Sequence, residues 1–181
     1  MKPMTRVIVS QGGFAGTHLY DLIESNLTVV NLLRDEGYPV DQITAESRAS
    51  YWVDFYLAQM NNGGFPQFVY NTRWAPMVIG EVEAGLVRMR AGEHLDLFRT
   101  LAARVAALPS GTLDAFLASD LFGDNPIRDQ LSTNDFFPLN KRHGLIELNH
   151  GFLRGLPNLT VLSIDDMFAA LEDVLGRPIA R

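Results

Sequence analysis

The chain has 181 residues, 47% of them hydrophobic and 20% charged, and its 15 Lys and Arg against 21 Asp and Glu leave a net charge of −6. This is the composition of one globular domain, expected to span residues 1–181, and it excludes collagen-like, coiled-coil and wholly disordered chains. Without cysteine there is no thiol nucleophile, disulfide framework or cysteine-held metal site. No signal-like or membrane-spanning apolar run occurs, so we expect a cytoplasmic protein with no membrane partner.

Apolar residues at helical spacing predict a mainly α fold, a single compact multi-helix domain with a small two-stranded β element near the termini. The two strands are expected at residues 7–10 and 160–162. Helices are predicted from Thr17 to Leu33, from Thr44 to Asn61, from Pro76 onward, from Glu93 to Leu108, around Phe116, around Leu148, and after the capping box that begins at Ser163. Asn125-Pro126 is expected to form a turn, and Pro138 to interrupt any helix near Phe136.

The glycine-rich segment Gly12-Gly13-Phe14-Ala15-Gly16-Thr17 stands between a predicted strand and a predicted helix, where phosphate-binding loops lie. However, the lysine of a P-loop is missing and the glycine spacing differs from that of dinucleotide-binding proteins. We therefore predict a flexible connector that ends at a Thr17 helix cap.

Residues that could take part in catalysis or metal binding are few. His143, Glu147 and His150 would share one face of a helix, a geometry that a divalent metal can use, but Gly144 and Gly151 weaken that helix. We predict no catalytic residue, no metal and no cofactor, and keep a metal-dependent hydrolase using these three side chains as an alternative. Asp54, inside an apolar helix, is expected on an exposed stripe, with a buried ion pair as the alternative.

The most specific segment is Asn61-Asn62-Gly63-Gly64-Phe65-Pro66-Gln67-Phe68-Val69-Tyr70-Asn71. Glycine can adopt the positive φ that ends a buried helix, and Pro66 suits the first turn of a following one. Phe65, Phe68 and Tyr70 would fold this corner onto the core, while Asn61, Asn62 and Gln67 can bond exposed backbone groups. The chemistry of these residues alone predicts a structural corner.

This segment, together with Trp52-Val53-Asp54-Phe55, resembles the signature of the bacterial DNA-mimic-protein (DMP-type) C-terminal domain family, once catalogued as a domain of unknown function. The match is Asn62-Gly63-Gly64-Phe65-Pro66-Gln67-Phe68 followed by Tyr70-Asn71, and the resemblance covers about residues 40–160. It implies a helical domain without known catalysis. In some members it also implies an acidic surface that imitates DNA and occupies DNA-binding proteins.

The acidity of this chain is uneven in the way such a surface requires. Residues 114–135, called here the acidic segment, contain five aspartates and one arginine, hence a local charge of −4; the aspartates are Asp114, Asp120, Asp124, Asp129 and Asp135. Residues 21–54 carry seven acids and two arginines, hence −5. We expect a non-enzymatic domain that binds a basic or DNA-binding protein and no nucleic acid directly. An immunity or antitoxin-like protein covering a basic effector is the alternative, and a homodimer is left open.

Overall fold

The computed structural model describes residues 1–180 and confirms a mainly helical fold with a two-stranded sheet near the chain ends. The elements are β1 (Val7–Ser10), α1 (Gln11–Ala15), α2 (Leu19–Asp35), α3 (Ala45–Thr72), α4 (Pro76–Arg88), α5 (Gly92–Ala106), α6 (Thr112–Ala118), α7 (Pro126–Leu131), α8 (Phe136–Arg142), α9 (Leu145–Arg154), β2 (Leu159–Leu162) and α10 (Ile164–Leu175). Two compact units are present, unit 1 (Met1–Asp54 and the chain from Ile146 onward) and unit 2 (Phe55–Leu145). A single domain over residues 1–181 stays a prediction.

The sheet of unit 1 is parallel, with Val7 opposite Leu159. Because successive strand residues point to opposite faces, Val7 and Val9 pack in a cluster with side chains of α2 and α9, while Ile8 packs with side chains of α2 and α10. Two short strands are marginal by themselves, so burial on both faces stabilises this pair. The predicted pairing of the chain ends is confirmed.

Unit 2 is built around an aromatic core. Tyr56, Phe65, Phe68, Phe98 and Phe136 are all fully buried. The ring of Tyr56 meets those of Phe68, Phe98 and Phe136 edge to face, with centroids 5.3, 5.4 and 5.9 Å apart. This geometry suits the charge distribution of aromatic rings and adds to the free energy gained by their burial. The core holds the second part of α3 against α5 and α8.

Two segments differ from the sequence prediction because local capping bonds build helices there. The predicted flexible connector contains α1, whose Gly13 N–H donates to Ser10 Oγ at 2.9 Å. Helix α2 is capped at His18 instead of Thr17, since the Asp21 carboxylate accepts the backbone N–H of His18 at 3.0 Å.

The two proline predictions in the second half are also corrected. Asn125 caps α7, accepting the backbone N–H of Arg128 at 3.1 Å, and Pro126 occupies the first helical position. Pro138 lies in the first turn of α8, where the missing N–H has no helical partner to lose, so it does not interrupt the helix. Among the described residues, no helix is both long and apolar enough to cross a membrane.

Candidate functional site: the motif corner and the acidic segment

The Asn-Asn-Gly-Gly segment ends the first part of α3 close to the predicted Asn61, and a second helical part follows after a kink at Gly64. Gly64 has φ 74° and ψ −166°, a backbone conformation that essentially only glycine adopts. Gly63 is constrained differently, because a Cβ there would lie 2.2 Å from Gln67 Oε1. Pro66 falls in the first turn after the kink, where it needs no N–H partner. Gly64 is therefore needed for its backbone conformation, and Gly63 for the close approach of the Gln67 side chain.

Three polar side chains of the motif fasten the kinked helix. Gln59, only 9% exposed and located before the kink, accepts hydrogen bonds from Gln67 Nε2 at 3.1 Å and Asn71 Nδ2 at 2.6 Å, both located after it. The expected bond from Gln67 to exposed backbone is thus replaced by a bond to a side chain. The Tyr70 hydroxyl donates to the Ser119 carbonyl at 2.9 Å, which ties α3 to the end of α6.

Asn61 and Asn62 differ from the rest of the motif. Both are exposed, and no hydrogen bond of their side chains to any described residue occurs. With Asn134 and the exposed Phe137 they line a groove of about 270 Å³ in unit 2. Neither asparagine performs the predicted backbone capping, so the structural work of the motif is carried by its other side chains.

The five aspartates of the acidic segment all lie in unit 2 and are all exposed. Asp114 is in the first turn of α6, Asp129 in that of α7, and Asp135 at the cap of α8, while Asp120 and Asp124 belong to the loop between α6 and α7. Among the described residues of this segment, the recorded ion pair is Asp129 with Arg128, at 2.9 Å. The only cation of the segment is therefore already engaged.

The other acidic region, residues 21–54, offers fewer free carboxylates. Of its seven acids only Glu24, Asp35 and Asp41 are exposed. Glu36, whose side chain is 19% exposed, pairs with Arg177 at 2.6 Å. The acidic segment of unit 2 is thus the better candidate surface.

Asp54 is half-buried, so the expected exposed stripe is wrong, and its partner is a phenol instead of the cation of an ion pair. The Tyr20 hydroxyl donates to Asp54 Oδ2 at 3.2 Å. Burial raises the pKa of Asp54, and the bond from Tyr20 opposes that rise. Burial, with the nearby Asp54 charge, raises the pKa of Tyr20 to about 12, which keeps the phenol protonated as a donor.

One residue of the acidic segment went unnoticed in the sequence. Phe122 lies in the loop between α6 and α7 and is 84% exposed, whereas the preceding Leu121 is buried. The available signal was the pattern Asp120-Leu121-Phe122-Gly123-Asp124, a pair of apolar residues between turn-forming ones. That pattern does not reveal which apolar residue points outward.

The two histidines of the alternative metal site have separate partners. His143 Nε2 lies 2.9 Å from Glu93 Oε1 in unit 2, and His150 Nδ1 donates to the Leu19 carbonyl at 2.9 Å in unit 1. The part of the chain that the structure describes contains no group of three or more His, Asp and Glu side chains arranged to hold a metal.

The glycine-rich segment lines a cleft of about 360 Å³ in unit 1, at the carboxyl end of β1. Asp21 and Glu24 line the same cleft, and their charge repels a phosphate. The Ser25 hydroxyl is used within the fold, since it accepts the Ser10 N–H at 2.8 Å and donates to Ser10 Oγ at 3.1 Å. These residues do not fit phosphate binding, in agreement with the sequence.

A family model described as DMP19-like protein matches residues 41–155, which include the kinked corner and all of unit 2. The chain therefore belongs to the DMP19-like protein family, and the resemblance drawn from the Asn-Gly-Gly-Phe motif is confirmed. No curated protein and no solved structure matches the chain.

Proposed function

We propose that this chain is a non-enzymatic protein of the cytoplasm that binds a basic, DNA-binding protein through the acidic segment, in the manner of a DNA mimic. The observation that carries the proposal is the exposure of all five aspartates, with one cation among them that is already paired to Asp129. A protein surface that recognises DNA presents Lys and Arg side chains to a row of phosphates, and exposed carboxylates can form ion pairs with the same Lys and Arg side chains. The same charge repels DNA itself.

Two of the five aspartates, Asp114 and Asp124, have side chains that no other described residue engages. Neither carboxylate has a hydrogen bond or ion pair to any described group, and exposed carboxylates contribute little to folding. Their charge is therefore available to a partner, where it would speed encounter and orient the complex. An immunity or antitoxin-like protein would use these charges in the same way, and the identity of the partner decides between the two.

The test is capture of a partner from native lysate, followed by association kinetics with the purified partner. The variant Asp120→Asn/Asp124→Asn/Asp129→Asn should associate about tenfold more slowly, and the difference should shrink as salt is raised. The matched control Glu24→Gln/Asp35→Asn/Asp41→Asn removes three exposed charges from unit 1 and should associate at nearly the wild-type rate. Both variants should unfold at the wild-type urea concentration.

Two results would contradict the proposal. One is tight binding of the wild-type chain to duplex DNA in a mobility-shift assay. The other is equal slowing by the two triple variants, because net charge alone, and not the acidic segment, would then explain the effect.

A further inference from the structure

Phe122 is the most exposed large apolar side chain among the described residues, at 84%. Single exposed apolar residues are common and need no explanation by themselves. Phe122 differs because its loop is held in place by specific hydrogen bonds, and because the exposed carboxylates of Asp120 and Asp124 stand on both sides of it in the sequence.

The backbone on either side of Phe122 is fixed. Arg128 Nη1 donates to the carbonyls of Leu121 and Gly123 at 3.3 and 2.9 Å, and the Phe122 N–H donates to Asp120 Oδ1 at 2.9 Å. Leu121, 7% exposed, takes the inward position. The ring of Phe122 is consequently held outward, and the loop has already lost the conformational freedom that binding would otherwise remove.

The base of the loop is equally well tied. Asn125, only 5% exposed, donates to Ser119 Oγ at 2.8 Å and to the Asp120 carbonyl at 3.3 Å. Both ends of the turn are therefore joined by a buried amide. Rearrangement that would bring the Phe122 ring inward would break these bonds and those of Arg128 together, leaving buried polar groups unpaired.

We propose that Phe122 is the apolar anchor of the interface, inserting into an apolar pocket of the partner protein whose rim carries Arg or Lys. This inference rests on the proposed function, since the basic rim is the complement of the exposed carboxylates of Asp120 and Asp124. Buried aromatic anchors surrounded by polar contacts are typical centres of binding energy at interfaces. A surface that only imitated phosphates would need no such ring.

The two kinds of contact predict different kinetic effects. Charges on an interface rim act mainly on the association rate and its salt dependence, whereas loss of a desolvated anchor acts on the dissociation rate. With the partner captured from native lysate and purified, Phe122→Ala should dissociate at least about tenfold faster, with an association rate close to that of the wild type. The matched control Phe137→Ala removes another exposed phenylalanine of unit 2, 56% exposed, and should change neither rate by more than about twofold.

The outcomes separate this inference from the proposed function. If Phe122→Ala dissociates at the wild-type rate, and the association rate still depends on salt and on Asp120 and Asp124, Phe122 is not an anchor. The proposed function is not contradicted by that result. Faster dissociation by Phe122→Ala with association that ignores salt supports the insertion of Phe122 into an apolar pocket, but overturns the basic rim of that pocket and the charge-based function. Equal effects of Phe122→Ala and Phe137→Ala overturn the anchor, as does a captured partner that is only a second copy of this chain. Failure of the wild-type chain to capture any protein overturns both.

Discussion

Replacing Gly64 by alanine isolates the backbone cost of the kink in α3. With φ 74° and ψ −166°, the position lies in a region where a side chain costs on the order of 1–3 kcal/mol. The nearest atom to the added Cβ would be Pro66 Cδ at 3.6 Å, an ordinary contact, so steric overlap adds nothing. We therefore expect Gly64→Ala to lower the free energy of unfolding by about 1–3 kcal/mol, a fall in Tm of roughly 3–10 °C for a chain of this length.

The assay is urea unfolding followed by tryptophan fluorescence, with a thermal melt beside it. Gly80→Ala is the matched control, because Gly80 lies inside α4 with an ordinary φ and open space at its Cβ. Alanine is the better helix former there and should stabilise the protein by about 0.5–1 kcal/mol. If Gly64→Ala is as stable as the wild type while Gly80→Ala shows its gain, the kink does not depend on a glycine.

Three further substitutions test how buried and half-buried polar side chains contribute to the free energy of unfolding. Gln59→Leu should lower the free energy of unfolding by about 1–3 kcal/mol in urea melts, because two amide groups lose their shared acceptor; an unchanged midpoint would refute this. Asp54→Asn should stabilise the protein at pH 7, since burial raises the pKa of the carboxyl and asparagine still accepts from Tyr20. That gain should shrink as pH falls through the raised pKa towards 3.8, and a gain independent of pH would contradict the assignment. Burial lowers the pKa of His94, so as pH drops below 6.5 the unfolded chain takes up a proton more readily than the folded protein, and the free energy of unfolding should fall. His94→Gln, which can still donate to the His143 carbonyl, should make that fall smaller. Parallel curves of stability against pH for the two proteins would count against this assignment.

The residues of the motif that identifies the family mainly stabilise the fold. Its aromatic residues fill the core of unit 2, and Gln67 and Asn71 converge on Gln59 across the kink. Residues with such structural roles cannot be changed without affecting stability, which makes them good markers of a fold and poor markers of a function. The surface proposed to bind a partner lies elsewhere in unit 2, in the acidic segment.

The sequence by itself determined the helical architecture, the two strand-forming segments near the chain ends and several element boundaries. These features depend on signals that act over a few residues, namely apolar periodicity, Pro76 at the start of α4, and Ser163, which accepts the Asp166 N–H at 3.1 Å at the start of α10. The motif was specific enough to identify the family because its glycines and aromatic residues meet strict backbone and packing demands.

Only the tertiary structure decided which polar and apolar side chains are exposed to solvent. Leu121 and Phe122 are adjacent and equally apolar in sequence, yet one is buried and the other is exposed because Arg128 and Asn125 fix the loop from outside it. Asp54 became half-buried because Tyr20, 34 positions away, lies against it. In both cases exposure depends on specific side-chain contacts, nearby in the chain for Phe122 and distant for Asp54, and local propensity carries no information about them.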